Sequence, residues 1–311
     1  MRKQTAPGPG FCGTKPDNGG MRGWKLIVGA VLLSVALAAC GSSQATPDDP
    51  SGDTVRSFYS QSSVTGSLLV VGDWGSGTAE QDEIASQMAS YAASNPVQAI
   101  LTTGDNFYLD DTEQMMQPFG WADAAGIEFW LTWGNHDVES PERIEAVNEV
   151  FDSPPRWATI SWGETNILIL DSNEVDSQTQ LAYLEAEMER IEAPTIVVLH
   201  HPPYSCSDHV GDESVRDEWL SRFDEDVVLV LSGHAHNYQR FEADGLSLIV
   251  SGGGGQALQN LSACPADHPA LSVGEETFHF LILRQGTTSL TVTAVDQAGE
   301  TIDEVAIPLA D

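Results

Sequence analysis

The chain has 311 residues, 41% of them hydrophobic, enough for one large domain or two small ones around a sizeable core. With 13 Lys and Arg against 46 Asp and Glu, its formal net charge is −33. That balance speaks against nucleic acid and anionic lipid surfaces as partners, and it repels phosphate groups at long range, so any affinity for phosphate must come from local cations.

In chain order, the N-terminus reads first as a targeting segment. Arg22 and Lys25 flank the start of an apolar run, residues 26–39, that ends in small residues at Cys40. A basic start, an apolar stretch too short for a comfortable membrane span and a small-residue end describe a processed leader. The stretch Leu37-Ala38-Ala39-Cys40-Gly41 resembles the lipobox of bacterial lipoproteins, in which the Cys becomes the lipidated first residue. The resemblance implies an N-terminal extension and lipoprotein signal peptide over 1–40, and an exported protein held at the cell surface or periplasmic face by lipidated Cys40. A Ser-, Gln-, Thr-, Pro- and Asp-rich stretch, 41–63, reads as a flexible tether, leaving 64–311 as the folded domain. Cleavage before Cys40 removes five basic residues (Arg2, Lys3, Lys15, Arg22, Lys25) and one acidic residue (Asp17). Of the 13 basic and 46 acidic residues 8 and 45 then remain, a formal charge of −37 with no Lys left. Such diffuse charge is first of all a solvated surface. Cys206 and Cys264 are the cysteines left over in an exported chain, and so are candidates for a disulfide; they lack the spacing of metal-ligating cysteines.

Within the domain, five short apolar runs (LLVV, QAILTT, FWLTW, TIVVL and VVLVL) read as buried strands of an α/β sheet. Between them, residues 79–92, 177–192 and 213–223 carry helical spacing, the second with Asp176 as capping candidate. The tail turns β-rich, with strands expected over 246–251, 277–283, 289–295 and 304–309. The run Gly252-Gly253-Gly254-Gly255 is either a phosphate cradle or a place of close backbone packing.

Each of the five runs leads into a polar motif: GDWG at Asp73, GDNFY at Asp105, GNHD at Asn135, HHPPYS at His200 and GHAH at His234. Polar residues just past strand ends collect at one rim of an α/β sheet, where ligands bind. Six of the eight histidines fall in or beside these motifs. Asp, Asn, Tyr and His without thiolate suit iron, zinc or manganese, and a carboxylate such as Asp105 can bridge two cations.

The ordered set of five motifs, over about residues 66–255, resembles the calcineurin-like metallophosphoesterases, and within them the purple acid phosphatases. The resemblance implies a four-layer αββα sandwich of mixed α/β sheets. It also implies a two-metal hydrolase of phosphomonoesters, with acid phosphatase activity and a metal-bound hydroxide nucleophile. Many of these enzymes carry Asp-x-His in the first motif; here that His is replaced by Gly75, and Tyr108 stands where purple acid phosphatases place a phenolate ligand. Carried over by position, Asp73, Asp105, Tyr108 and His236 hold the first metal, and Asp105, Asn135, His200 and His234 the second. The implied centre is Fe(III) plus a divalent Fe, Zn or Mn. His136 would contact the phosphoryl group, and His209 falls where some members protonate the leaving group. Asp137 would orient its neighbours, and His201 is left as structural or supporting, since Pro202 selects His200 as the ligand. Small phosphate esters are the expected substrates. Two other readings stay open: a phosphodiester- or nucleotide-directed enzyme using Mn or Zn, and a non-catalytic lipoprotein on an inherited fold.

Overall fold

The computed structural model describes Tyr59 and residues 66–309 apart from position 244. The expected signal peptide, Cys40 and the tether lie outside the described residues, except Tyr59. That residue is buried, and its hydroxyl accepts the Leu131 amide at 3.2 Å.

Two mixed sheets form the centre. The first takes β1 (Ser67–Val71), β2 (Val97–Thr102), β3 (Glu128–Trp130), β11 (His279–Gln285), β12 (Ser289–Asp296) and β13 (Thr301–Pro308), in the order β13-β12-β11-β1-β2-β3. The second takes β4 (Ala158–Trp162), β5 (Thr165–Ile169), β6 (Thr195–Val198), β7 (Val227–Ser232), β8 (Tyr238–Ala243), β9 (Leu246–Ser251) and β10 (Leu271–Glu275), in the order β10-β8-β9-β7-β6-β5-β4. The motif-bearing strands run parallel to one another within each sheet: β1, β2 and β3 pair side by side, as do β6 and β7. Their polar motifs therefore leave each sheet at the same end.

Alternation along the strands builds three apolar layers. Leu68, Val70, Ala99 and Leu101 face Ile167, Ile196, Val198, Leu229 and Leu231 across the gap between the sheets. Leu69, Val71 and Ile100 point the other way, onto α1 (Ala79–Ala92), α2 (Thr112–Met116), α3 (Gly120–Ala125) and α4 (Pro141–Val150). Leu168, Val197 and Val230 of the second sheet point onto α5 (Gln178–Arg190) and α6 (Glu213–Glu218). The result is the expected αββα sandwich.

Several boundaries differ from expectation. The helix expected over 213–223 stops at Glu218 and continues as a 3-10 turn, Leu220–Arg222. Asp176 does not cap α5: Ser177 holds the N-cap position, no side chain caps it, and Gln178 Nε2 donates to the Asp176 carbonyl instead. The glycine run is a packing device. A Cβ on Gly252 would lie 2.3 Å from the Ala235 carbonyl oxygen, and one on Gly254 2.4 Å from that of Gly72.

His279 opens β11 fully enclosed. Its Nδ1–H donates to the Thr277 carbonyl at 2.9 Å, and Ser251 Oγ lies 3.0 Å from Nε2. Tyr238 meets the ring edge-on. Burial pushes its pKa down to about 4 from an ordinary 6.5. The ring is neutral when folded but protonates when unfolded, so its contribution is complete above about 6.5 and is lost as pH falls towards 4. Chemical denaturation between pH 7 and 4 is expected to show stability falling with acidity, and the His279→Gln variant should show a shallower slope.

Candidate metal centre

The strand ends turn sharply where the motifs begin. Asp73, Asp105 and His234 have φ of 56°, 50° and 68°, in the left-handed region that side chains other than Gly adopt at a cost of about 1–3 kcal/mol. The turn aims each side chain inward over the rim. Asp73, Asp105 and His200 are buried, with one ligand-type atom from each within 4.8 Å of the others.

Two groups of donor atoms result. In the first, Tyr108 Oη lies 3.1 Å from Asp73 Oδ1, 2.9 Å from Asp105 Oδ2 and 3.3 Å from His236 Nε2. His236 Nε2 is itself 3.3 Å from Asp73 Oδ1. In the second, His200 Nε2 lies 3.1 Å from Asn135 Oδ1 and 3.4 Å from Asp105 Oδ1, and the His200 and His234 rings are 5.1 Å apart. Asp105 thus offers one oxygen to each group, as a bridging carboxylate must. The Asp73 carboxylate also accepts the His234 amide at 2.9 Å, tying the rim of one sheet to that of the other.

The proton inventory says what these groups suit. Nδ1 of His200 lies 2.8 Å from the Thr103 carbonyl, and Nδ1 of His236 lies 2.8 Å from the Ala257 carbonyl. A carbonyl only accepts, so both Nδ1 atoms carry a proton, and in the neutral rings that metal binding requires both Nε2 lone pairs face carboxylate, amide and phenol oxygens. Lone pairs directed at lone pairs are a fitting place for cations. Burial, and then Asp73 and Asp105, push the Tyr108 phenol above its ordinary range; a cation among the three oxygens would reverse that field. Burial opposes charge on His200, but the Asp105 carboxylate raises it to about 9. Burial also opposes ionisation of Asp105, yet His200 and then His136 hold it below the usual carboxylate range. Burial and the neighbouring His200, His201 and His209 take His234 down to about 2, so it is a neutral donor.

Gly75 explains the first motif. A Cβ there would stand 1.7 Å from the Asn106 carbonyl oxygen, and the Tyr108 amide donates to the Gly75 carbonyl at 2.8 Å. The loop carrying Tyr108 fills the space that a residue-75 side chain would need.

His136 and His209 are both brought to this rim. The His136 amide donates to Asp105 Oδ1 at 2.8 Å, and its ring lies 4.6 Å from that of Tyr108. The His209 ring is 4.4 Å from His234 and 6.4 Å from His236. Its loop is pinned by the Cys206–Cys264 disulfide and by a bridge between Ser207 and Leu261. Asp137 lies beneath: its carboxylate accepts the amides of Asn106, Phe107 and Gly134 and the Asn106 side-chain amide, at 2.8–3.2 Å. Burial and Asp105 push Asp137 up to about 7, but four N–H donors facing both its oxygens are the setting of a carboxylate.

Two residues went unnoticed in the sequence. Glu139 places Oε2 3.0 Å from His136 Nδ1, and Arg143 donates to Glu139 at 3.2 Å, to the Tyr108 carbonyl at 2.8 Å and to the Leu109 carbonyl. Arginine is scarce in so acidic a chain, and an Arg in the helix after GNHD was the available signal.

The calcineurin-like phosphoesterase family model matches residues 66–238, more than half of the chain. The chain belongs to the calcineurin-like phosphoesterases. Among curated proteins it is similar to purple acid phosphatase 7 of Arabidopsis thaliana, 24% identical over 228 residues covering 61% of this chain and 70% of that protein. It is also similar to a probable cyclic nucleotide phosphodiesterase of Synechococcus, 30% identical over 175 residues covering 50% and 60%. Among solved structures, the purple acid phosphatase PPD1 of yellow lupin superposes with a TM-score of 0.67 at 16% identity, over 80% of this chain and 55% of that one. The family implies a binuclear metal centre, and the two donor groups at this rim are the candidate residues to hold it.

If the Tyr108 loop needs residue 75 bare, Gly75→Ala should lower stability by roughly 1–3 kcal/mol or more and reduce bound metal. Gly120→Ala is the control, since a Cβ there meets nothing within 4 Å and should leave both unchanged. Thermal melting and metal analysis check the pair.

Proposed function

We propose that this phosphoesterase is a purple acid phosphatase-type phosphomonoesterase with a ferric ion beside a divalent Fe, Zn or Mn. The supporting observation is Tyr108: its oxygen lies among Asp73, Asp105 and His236, where Gly75 leaves no room for the histidine that other members use. A phenolate is a hard anionic donor, suited to a ferric ion.

In this reading Asp73, Asp105, Tyr108 and His236 hold one ion and Asp105, Asn135, His200 and His234 the other. Bound there, the ions would offset charge on the phosphoryl oxygens and lower the pKa of water. The chain's own groups do the rest. Arg143 and Glu139 hold the His136 ring over Tyr108, where it can donate to a phosphoryl oxygen. His209, on its disulfide-pinned loop, is placed to give a proton to the leaving oxygen. Asp137 fixes the two motif loops to one another. The segment ending at Cys40 supports export and lipid anchoring, and the acidic charge supports small phosphate esters over nucleic acid as substrates.

A second reading, a phosphodiesterase using Mn or Zn, draws support from the similarity to the Synechococcus protein. Two measurements on the metal-loaded full chain separate them. Under the first reading the protein shows a visible charge-transfer band that Tyr108→Phe abolishes, and it hydrolyses an aryl monoester at least about tenfold faster than the matching diester. A colourless, iron-free, fully metallated protein preferring the diester would sink it.

A further inference from the structure

Ser172 Oγ receives two backbone donors, the amide of His200 at 3.2 Å and that of His201 at 2.9 Å. A hydroxyl has two acceptor sites and one proton. With both acceptor sites taken, the O–H goes to the remaining neighbour, Nδ1 of His201, at 2.9 Å. Nδ1 of His201 therefore accepts, and the ring proton lies on Nε2. This is the opposite tautomer to neutral His200 and His236, whose Nδ1–H groups donate to carbonyls and whose Nε2 is then the bare nitrogen.

In their neutral forms these adjacent histidines thus carry opposite tautomers, His200 with a lone pair on Nε2 and His201 with an N–H there. One imidazole nitrogen of each of His200, His201 and His234 lies within 4.8 Å of the other two, and the His201 and His234 rings are 4.6 Å apart. By spacing alone the three could be one metal face. With Nδ1 taken by the Ser172 hydroxyl and Nε2 protonated, neither nitrogen of His201 has a lone pair left to give, which removes it from that set. The side chain is only part-buried, so the N–H is not sealed in a core. A neutral donor beside metal ligands suits an oxyanion held by those metals.

We propose that His201 contacts substrate, donating Nε2–H to a phosphoryl oxygen, and that Ser172 is the positioning residue that holds it in this tautomer. His136 follows β3 of the first sheet and His201 follows β6 of the second. The phosphoryl group is then gripped by one imidazole from each sheet. The inference rests on the phosphoesterase reading of the site for its ligand, and inorganic phosphate shares that ligand's chemistry.

The test uses the zinc-loaded full chain, diamagnetic and free of turnover by iron. Long-range 1H–15N NMR reads the tautomers, metal analysis counts zinc, and calorimetry measures inorganic phosphate binding. The expected result is Nε2–H on His201 and Nδ1–H on His200. His201→Phe should keep the full zinc content and weaken phosphate binding roughly tenfold or more, as for a lost hydrogen bond to a charged group. His201→Gln, whose amide N–H can stand near the lost Nε2–H, should recover most of the affinity. Ser172→Ala should shift part of His201 to the other tautomer and weaken phosphate less than His201→Phe. Loss of zinc in both His201 variants would make His201 a ligand and overturn the proposal. So would unchanged phosphate affinity at full zinc, or no phosphate binding by the parent chain; an unchanged tautomer in Ser172→Ala would overturn the role of Ser172. Phosphate binding without hydrolysis of any ester would remove the phosphatase reading and leave this one standing.

Discussion

The rim depends on holding Asp73 and Asp105 together with almost no solvent around them. Both reach the same phenol oxygen, so two carboxylates converge on one small volume. Burying unpaired carboxylates costs several kcal/mol each even after relaxation. The nearby guanidinium, Arg143, does not relieve this, because its N–H groups go to backbone carbonyls and to Glu139. Backbone amides and His200 offset part of the cost. The rest of the field calls for cations, and every other donor at the rim is arranged around that need.

Such an arrangement needs a frame that can bear local strain. The left-handed turns at Asp73, Asp105 and His234 persist because the strands before them are anchored on both faces. Leu68 and Val70 lock β1 into the central layer, while Leu69 and Val71 lock it against the helices. A strand so held cannot rotate to relax its last residue. Ligands placed on its end are therefore preorganised, which is what a metal site of defined geometry requires.

This double anchoring also decides what the sequence made legible. A strand buried on both faces must be a continuous apolar run, so the five motif-bearing strands stood out, and the motifs gave the candidate ligands by position. Strands with one polar face did not. β4 alternates apolar and polar residues before the Gly163 turn, and β8 carries Gln239, Arg240 and Glu242 among its six residues, so neither reads as a buried run. The helix α4 passed unnoticed despite Ser140 capping it through the Arg143 amide and Pro141 in its first turn. Within the site, ligands were legible because their side-chain chemistry is distinctive. Supports such as Ser172 and Glu139 were not, since an ordinary serine or glutamate acquires its role only from the groups that folding places beside it.

Under the purple acid phosphatase reading, Gly75 and Tyr108 show how ligand identity can be written into backbone approach rather than into one side chain. The Tyr108 loop crosses close enough for its amide to reach the Gly75 carbonyl, which leaves no volume for a ligand at position 75. The missing histidine and the gained phenol are thus one structural change. Exchanging either residue alone would leave the loop clashing or a metal short of a donor. Charge adds a further constraint. At −33 overall the protein repels phosphate esters until they come within roughly 10 Å, the screening length at moderate salt. Inside that distance a strong positive field would come from the cations that the donor groups can recruit. Selectivity for phosphoryl oxygens then falls to groups that add N–H donors without adding ligands, and at this rim those are imidazoles whose tautomers the surrounding hydroxyls and carboxylates set.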